Sequence, residues 1–199
     1  MRYNIIFATH NEGKVKEVKM ILNDKKFAVK SLKEANINQE VVEDGKTFEE
    51  NAIKKAKEFM ETTGTIVMAD DSGLEIDYLN KKPGVYSARY GGEDTPYHIK
   101  NQMILEELKG IPEDKRTARF VSVIATAFPN GDILTTRGTI EGIIGFEAKG
   151  NGGFGYDPIF YVPELERTTA EMTLEQKNAI SHRGKALEKM KEKLFDYLK

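Results

Sequence analysis

The sequence predicts an α/β fold, and three features carry the prediction. Short apolar runs at 3–8, 27–32 and 65–69 alternate with amphipathic stretches at 14–22 and 47–60 that have helical period. Two longer segments rich in β-formers, 117–128 and 133–144, are joined by Pro129-Asn130-Gly131-Asp132, a strong hairpin turn. A last amphipathic helix carries Ala186, Leu187, Met190, Leu194 and Leu198 along one stripe.

With 199 residues the chain can bury a good core, and it is read as a single domain over 1–199, or two closely joined lobes without a separate linker. Apolar residues at 39% and charged residues at 31% place it among globular chains. A net charge of −2 and a pI near 6.0 give no global attraction for nucleic acid or an anionic membrane. The absence of cysteine excludes disulfides and zinc–thiolate sites. The apolar run at 3–8 is too short for a signal segment and no later run could span a bilayer, so a cytoplasmic protein is expected. Only three histidines occur, His10, His98 and His182. Any bound metal would therefore be held by oxygen ligands, which favours magnesium or manganese.

Taken in order, the run at 3–8 leads into the polar turn Thr9-His10-Asn11-Glu12-Gly13-Lys14 and a helix with Val15, Val18, Ile21 and Leu22 on one face. Such a strand-to-helix turn is an anion site in waiting, because first-turn N–H groups are free and the helix dipole is positive there. A plain N-cap with a solvated lysine fits the pattern equally well. Acids surround a turn at Glu40, Glu43 and Asp44, after which Thr47 caps a helix whose stripe is Phe48, Ala52, Ala56 and Phe59, with Glu50 in the capping-box position. Most lysines among Lys54, Lys55 and Lys57 read as a solvated face.

The run at 65–69 passes directly into Asp70-Asp71-Ser72-Gly73, followed by a second alternating strand at 74–79. A buried strand delivers acidic side chains with little positional freedom, which suits a metal ion or an activated water. An acidic turn closed by Gly73 is the competing reading. A loop of mixed aromatic and polar residues (85–92), a helix over 97–108 and the hairpin follow. Charges are sparse in the hairpin's first arm, which places it inside a sheet covered on both faces.

The stretch Gly150-Asn151-Gly152-Gly153-Phe154-Gly155-Tyr156-Asp157-Pro158-Ile159-Phe160 interleaves glycines with aromatics and an acid. That composition costs backbone entropy and is explained by a flat ring stacking on Phe154 or Tyr156, with neighbouring N–H groups and Asp157 reading its edge. A glycine-rich bend with its aromatics in the core is the lesser alternative. Thr173 caps a short helix through Ile180, Ser181-His182-Arg183-Gly184 interrupts, and Lys177, His182 and Arg183 gather at the junction as donors for carbonyl or phosphate oxygens.

Thr9-His10-Asn11-x-x-Lys14, Asp70-Asp71-Ser72-Gly73-Leu74, Pro83-Gly84-Val85-Tyr86-Ser87-Ala88-Arg89-Tyr90, Gly152-Gly153-Phe154-Gly155-Tyr156-Asp157-Pro158-Ile159-Phe160 and Ser181-His182-Arg183-Gly184 together resemble the Ham1 or inosine triphosphate pyrophosphatase family, in the same order and along the whole chain. The resemblance implies an elongated mixed sheet flanked by helices, two lobes around a nucleotide cleft, and a homodimer. It implies hydrolysis of ITP, dITP and XTP between the α and β phosphates, with Mg²⁺ as cofactor. By the same resemblance Thr9, Asn11, Lys14 and Lys55 hold the triphosphate and Ser72 contacts the nucleotide. Asp71 is general base and metal ligand, with Glu43 contributing to the metal and Asp70 supporting it. Phe154 stacks on the base, Gly155, Tyr156 and Asp157 line the pocket, and Lys177, His182 and Arg183 address the 6-keto group. His10 departs from the glycine that many relatives carry there.

The chemistry is consistent with this on physical grounds. A 6-keto oxygen accepts from lysine or arginine, whereas adenine would face those donors with a donor of its own; guanine carries the same keto group and is not separated this way. Adjacent aspartates are expected to raise one another's pKa, against the pull of a metal. Two other classes remain at this stage, a nucleotide sensor without catalysis and a single-stranded nucleic-acid binder, the latter disfavoured by the acidic pI.

Overall fold

The alternation of apolar runs and amphipathic stretches resolves into seven strands and five α-helices in a computed structural model that describes residues 2–199. The strands are β1 Tyr3–Phe7, β2 Phe27–Ser31, β3 Ile66–Ile76, β4 Thr117–Ala127, β5 Ile133–Ile144, β6 Phe160–Val162 and β7 Arg167–Thr168. The helices are α1 Glu12–Ile21, α2 Phe48–Thr63, α3 Tyr97–Glu107, α4 Leu174–Ile180 and α5 His182–Tyr197. The strands form one mixed sheet in the order β2-β1-β3-β4-β5-β6-β7. β1 runs parallel to β2 and β3, while β5, β6 and β7 pair antiparallel in turn. The predicted α/β class therefore holds.

The chain divides into two compact units. The first comprises Met1–Asp71, Ser122–Gly138 and His182–Lys199; the second comprises Ser72–Val121 and Thr139–Ser181. Each has its own apolar core. In the first unit, Ile5, Phe7, Val15, Val18, Met68, Ile124, Leu187 and Met190 are among the buried members. In the second, Leu74, Ile76, Ile104, Phe120, Ile144, Tyr156 and Phe160 play that part. β4 is buried along nearly its whole length, as the sparseness of its charges predicts. Among the described residues no helix is long and apolar enough to cross a membrane.

Three local outcomes differ from the sequence reading, and each bears on the site. The two strands expected around Asp70-Asp71-Ser72-Gly73 are one strand, β3, and the acid pair lies in its middle rather than at its end. Gly73 has no positive φ, and the Leu74 N–H is bonded by Ser87 Oγ at 2.9 Å, so the chain stays extended despite residues that favour turns. The strand ends at Ile76 instead of Leu79, where the Lys81 N–H returns to the Ile76 carbonyl and Asn80 and Lys81 take positive φ. At the other end of the chain, the interruption after α4 is a single residue, Ser181. His182, Arg183 and Gly184 form the first turn of α5. Gly138 of β5 permits that approach, since a Cβ there would lie 2.1 Å from the His182 carbonyl oxygen.

Candidate active site

β1 ends at Phe7, paired with Met68 of the parallel strand β3, and the Ala8 N–H still bonds the Met68 carbonyl at 2.8 Å. Beyond that point β3 continues while the chain after β1 turns away into α1. Asp70 and Asp71 thus emerge beside Thr9, Asn11 and Lys14 at the carboxyl end of β1, where open α/β sheets bind ligands. Thr9 Oγ1 accepts the Asn11 N–H at 3.2 Å, and Asn11 Oδ1 caps α1 through the Lys14 N–H at 3.1 Å.

Because successive side chains of a strand point to opposite faces, Asp70 and Asp71 part company at once. Asp70 Oδ1 accepts from Lys14 Nζ of α1 at 2.9 Å, and Oδ2 accepts from Arg183 Nε of α5 at 3.2 Å. Arg183 also ion-pairs with the buried Glu17 of α1. Asp71 instead meets α2, where Asn51 Nδ2 donates to Oδ2 at 3.0 Å. Lys55, one turn further along α2, is paired with Glu43.

The two carboxylates consequently differ in proton affinity. Burial disfavours charge on Asp70, but Lys14, Arg183 and Lys55 outweigh it and hold the carboxyl well below the ordinary value. For Asp71, burial is the larger influence; Glu43 adds to it, Lys55 and Asn51 oppose it, and the pKa rises to about 6. The neighbouring Asp70, which points to the opposite face of the strand, is not among the largest influences on Asp71. Lys14 and Arg183 balance Asp70 and Glu17, and Lys55 balances Glu43. Among the described residues no ion pair within 4.0 Å falls to Asp71, on which Lys55 and Lys14 act only at longer range.

That imbalance is the test of whether a divalent cation suits these residues. Asp71 and Glu43 supply hard oxygen donors with surplus negative charge, which fits magnesium chemistry. Among the described residues no three histidine, aspartate or glutamate side chains form a group set to hold a metal. Of the expected trio, Asp70 has both oxygens engaged by Lys14 and Arg183, so the residues that fit are Asp71 and Glu43.

The second unit holds the glycine-rich loop. Asp157 Oδ2 accepts the Phe154 N–H at 2.8 Å and Lys177 Nζ at 2.7 Å, while Oδ1 accepts Thr169 Oγ1 at 2.8 Å. Gly153, at φ +67°, leaves room for this carboxylate: a Cβ there would fall 2.1 Å from Oδ2. Lys177 Nζ also stands 4.5 Å from the centre of the Phe154 ring. Asn101 of α3 donates to the Gly155 carbonyl at 3.2 Å. Tyr156 turns inward, with its hydroxyl on the Ser87 carbonyl at 2.7 Å and its ring edge-on to Tyr97. Phe154 is half-buried, the aromatic of this loop that remains partly open.

Comparison with known proteins decides the family, since the sequence model of the Ham1 family matches residues 5–193. The chain belongs to the Ham1 family. A Desulforamulus reducens protein named dITP/XTP pyrophosphatase is 54% identical over 94% of both chains. Its Bacillus subtilis counterpart of the same name is 50% identical over 93% of both. The solved Ham1 protein of Staphylococcus aureus superposes with a TM-score of 0.87 at 40% identity, over 98% of this chain and 99% of that one. The Ham1 protein of Coxiella burnetii gives 0.88 at 41% identity with the same coverage.

Within this Ham1 chain the residues singled out from sequence fall into two groups. Thr9, Asn11, Lys14, Glu43, Lys55, Asp70, Asp71, His182 and Arg183 belong to the first unit; Ser72, Phe154, Gly155, Tyr156, Asp157 and Lys177 to the second. Arg183, expected beside Lys177, has its fork on Asp70 and Glu17. Tyr156, a candidate stacking face, is core, because a large ring gains more from burial than from exposure. Asp157 is held by the loop's own groups and Lys177 and so shapes the loop. Glu17, Asn51, Asn101 and Thr169 escaped the sequence reading. For Asn51 a signal existed: it stands beside Ala52 and three residues after Phe48, a polar residue on the buried face of a capped helix. Glu17 stands three residues after Lys14 and so shares its face of α1. Nothing in the sequence marks Asn101 or Thr169.

Proposed function

We propose that this chain is a magnesium-dependent nucleoside-triphosphate pyrophosphohydrolase that converts ITP, dITP and XTP to the monophosphate and pyrophosphate. The observation that carries this reading is the inequality of the adjacent aspartates on β3, one locked by two cations and the other desolvated and only partly offset by Lys55 and Asn51. The names of the relatives, dITP/XTP pyrophosphatase, support the substrate class.

Thr9, Asn11 and the N-terminal turn of α1 receive the triphosphate, with Lys14 and Lys55 stabilising charge that builds on it. Asp71 takes the proton from the attacking water, as a desolvated carboxylate suits a general base. Asp71 and Glu43 would hold magnesium, with Asp70 supporting them through Lys14. When bound, magnesium neutralises phosphate charge and lowers the pKa of a water. Ser72 contacts the nucleotide, Phe154 stacks on the purine, and Gly155 and Asp157 set the pocket's shape. Lys177, with His182 from the start of α5, addresses the 6-keto oxygen, so an adenine amino group meets donors and is rejected. Arg183, with Nε on Asp70 and Nη1 on Glu17, orders that first turn of α5 instead. Residues 1–199 act as one catalytic domain, working in the cytoplasm as a homodimer without nucleic-acid or membrane partners.

A panel of nucleoside triphosphates with separate detection of pyrophosphate and orthophosphate tests the reading. Release of pyrophosphate from dITP, ITP and XTP with Mg²⁺, and far less from ATP, is the expected result. Orthophosphate alone would overturn it. Tight ITP binding without hydrolysis would favour a sensor.

A further inference from the structure

Asn51 is fully buried and uses both ends of its amide. Nδ2 donates to Asp71 Oδ2 at 3.0 Å, and Oδ1 accepts the Gly45 N–H at 2.7 Å. Gly45 belongs to the acidic turn that also carries Glu43, and it comes so close that a Cβ would stand 2.5 Å from Asn51 Oδ1. One side chain on a rigid helix therefore ties the turn bearing Glu43 to the carboxylate of Asp71. A carboxylate free to rotate would present either oxygen; one bonded at Oδ2 presents Oδ1.

From this geometry we infer that Asn51 is a positioning residue for the reaction, fixing the Asp71 carboxylate so that Oδ1 faces the reacting water and holding the Glu43 turn in register with it. The inference rests on the pyrophosphohydrolase reading and assigns Asn51 no contact with substrate. Partners of this kind typically change activity by about 10- to 100-fold when removed.

The experiment measures kcat and KM for dITP, dITP affinity by calorimetry, and melting temperature for wild type, Asn51→Ala, Asn51→Asp and Gly45→Ala. Asn51→Ala should lower kcat by about 10- to 100-fold, with KM and affinity within about threefold. Asn51→Asp keeps the acceptor for Gly45 but opposes Asp71 with a second acceptor, so it should lose as much. Gly45→Ala, which presses on the same amide from the other side, should lower kcat less, again at constant KM. An Asn51→Asp protein with near wild-type kcat would overturn the inference, since anchoring the turn would then be the whole role. So would losses in Asn51→Ala that appear in melting temperature and KM but not in kcat. Should Asn51→Ala fail to fold, Gly45→Ala decides: unchanged kcat rejects the inference and a kcat loss at constant KM upholds it. A wild-type enzyme that releases no pyrophosphate sinks the functional reading itself, and the role of Asn51 falls with it; active wild type with an indifferent Asn51→Asp sinks the inference alone.

Discussion

Asp70 and Asp157 are both buried carboxylates paired with a lysine, yet their surroundings have little else in common. Every side chain on Asp70 is a cation delivered by a helix, Lys14 from α1 and Arg183 from α5. Asp157 gathers a backbone N–H, a hydroxyl and Lys177 around a loop whose path depends on Gly153. The first arrangement is a charge balance mounted on regular elements. The second is a shape made by the backbone. The difference teaches where each kind of work belongs: developing charge on phosphate needs fixed counter-charges, while a flat heterocycle needs a surface and a few directed donors.

The sharpest way to break this comparison is at the residue left over from the charge balance. Asp71→Asn should reduce kcat by roughly 10²- to 10⁴-fold, the usual worth of a general base, while dITP affinity stays within about threefold. A near-normal rate would remove Asp71 as the base. Next in size is Arg183→Met, which leaves Asp70 and Glu17 buried without their shared cation. Stability should fall by about 3 to 5 kcal/mol, seen as a loss of roughly 10 °C in Tm; an unchanged Tm would show that the triad is not holding α1, α5 and β3.

Both substitutions touch what the sequence made legible only in part. The acid pair, the Thr9–Asn11–Lys14 turn and the glycine-rich loop stand out because their residue types are costly or unusual where they occur. The α/β class was equally readable, from period and from the turn at Pro129-Asn130-Gly131-Asp132. Three things were hidden. A strand through Asp-Asp-Ser-Gly contradicts local propensity and is imposed by pairing within the sheet. The family resemblance implies different roles for Asp70 and Asp71, but the physical cause of the difference lies in strand geometry, which cannot appear until β3 is known to continue. The partners Glu17 and Asn51 lie 166 and 20 residues from Arg183 and Asp71, and only the fold brings them together.

Smaller effects probe the loop. Phe154→Ala should weaken dITP binding by about 1 to 3 kcal/mol, the worth of one base–aromatic stack, with kcat nearly constant. An unchanged KM would show that the ring is not the platform. Gly153→Ala should shift KM in the same direction, because its Cβ would displace the Asp157 carboxylate and with it Lys177. Smallest of all is His10→Ala. The imidazole is exposed, and removing it should change activity and stability by no more than about 0.5 kcal/mol.

Separation of chemistry on β3 from recognition in the glycine loop is tested most directly by calorimetric titration of dITP with Mg²⁺ into Asp71→Asn and into Asp71→Asn combined with Phe154→Ala. With turnover suppressed in both, the single variant should bind dITP within about threefold of the wild-type KM, and the added Phe154→Ala should weaken binding by roughly tenfold or more. Loss of binding in Asp71→Asn alone, with no further loss on removing the ring, would contradict the account.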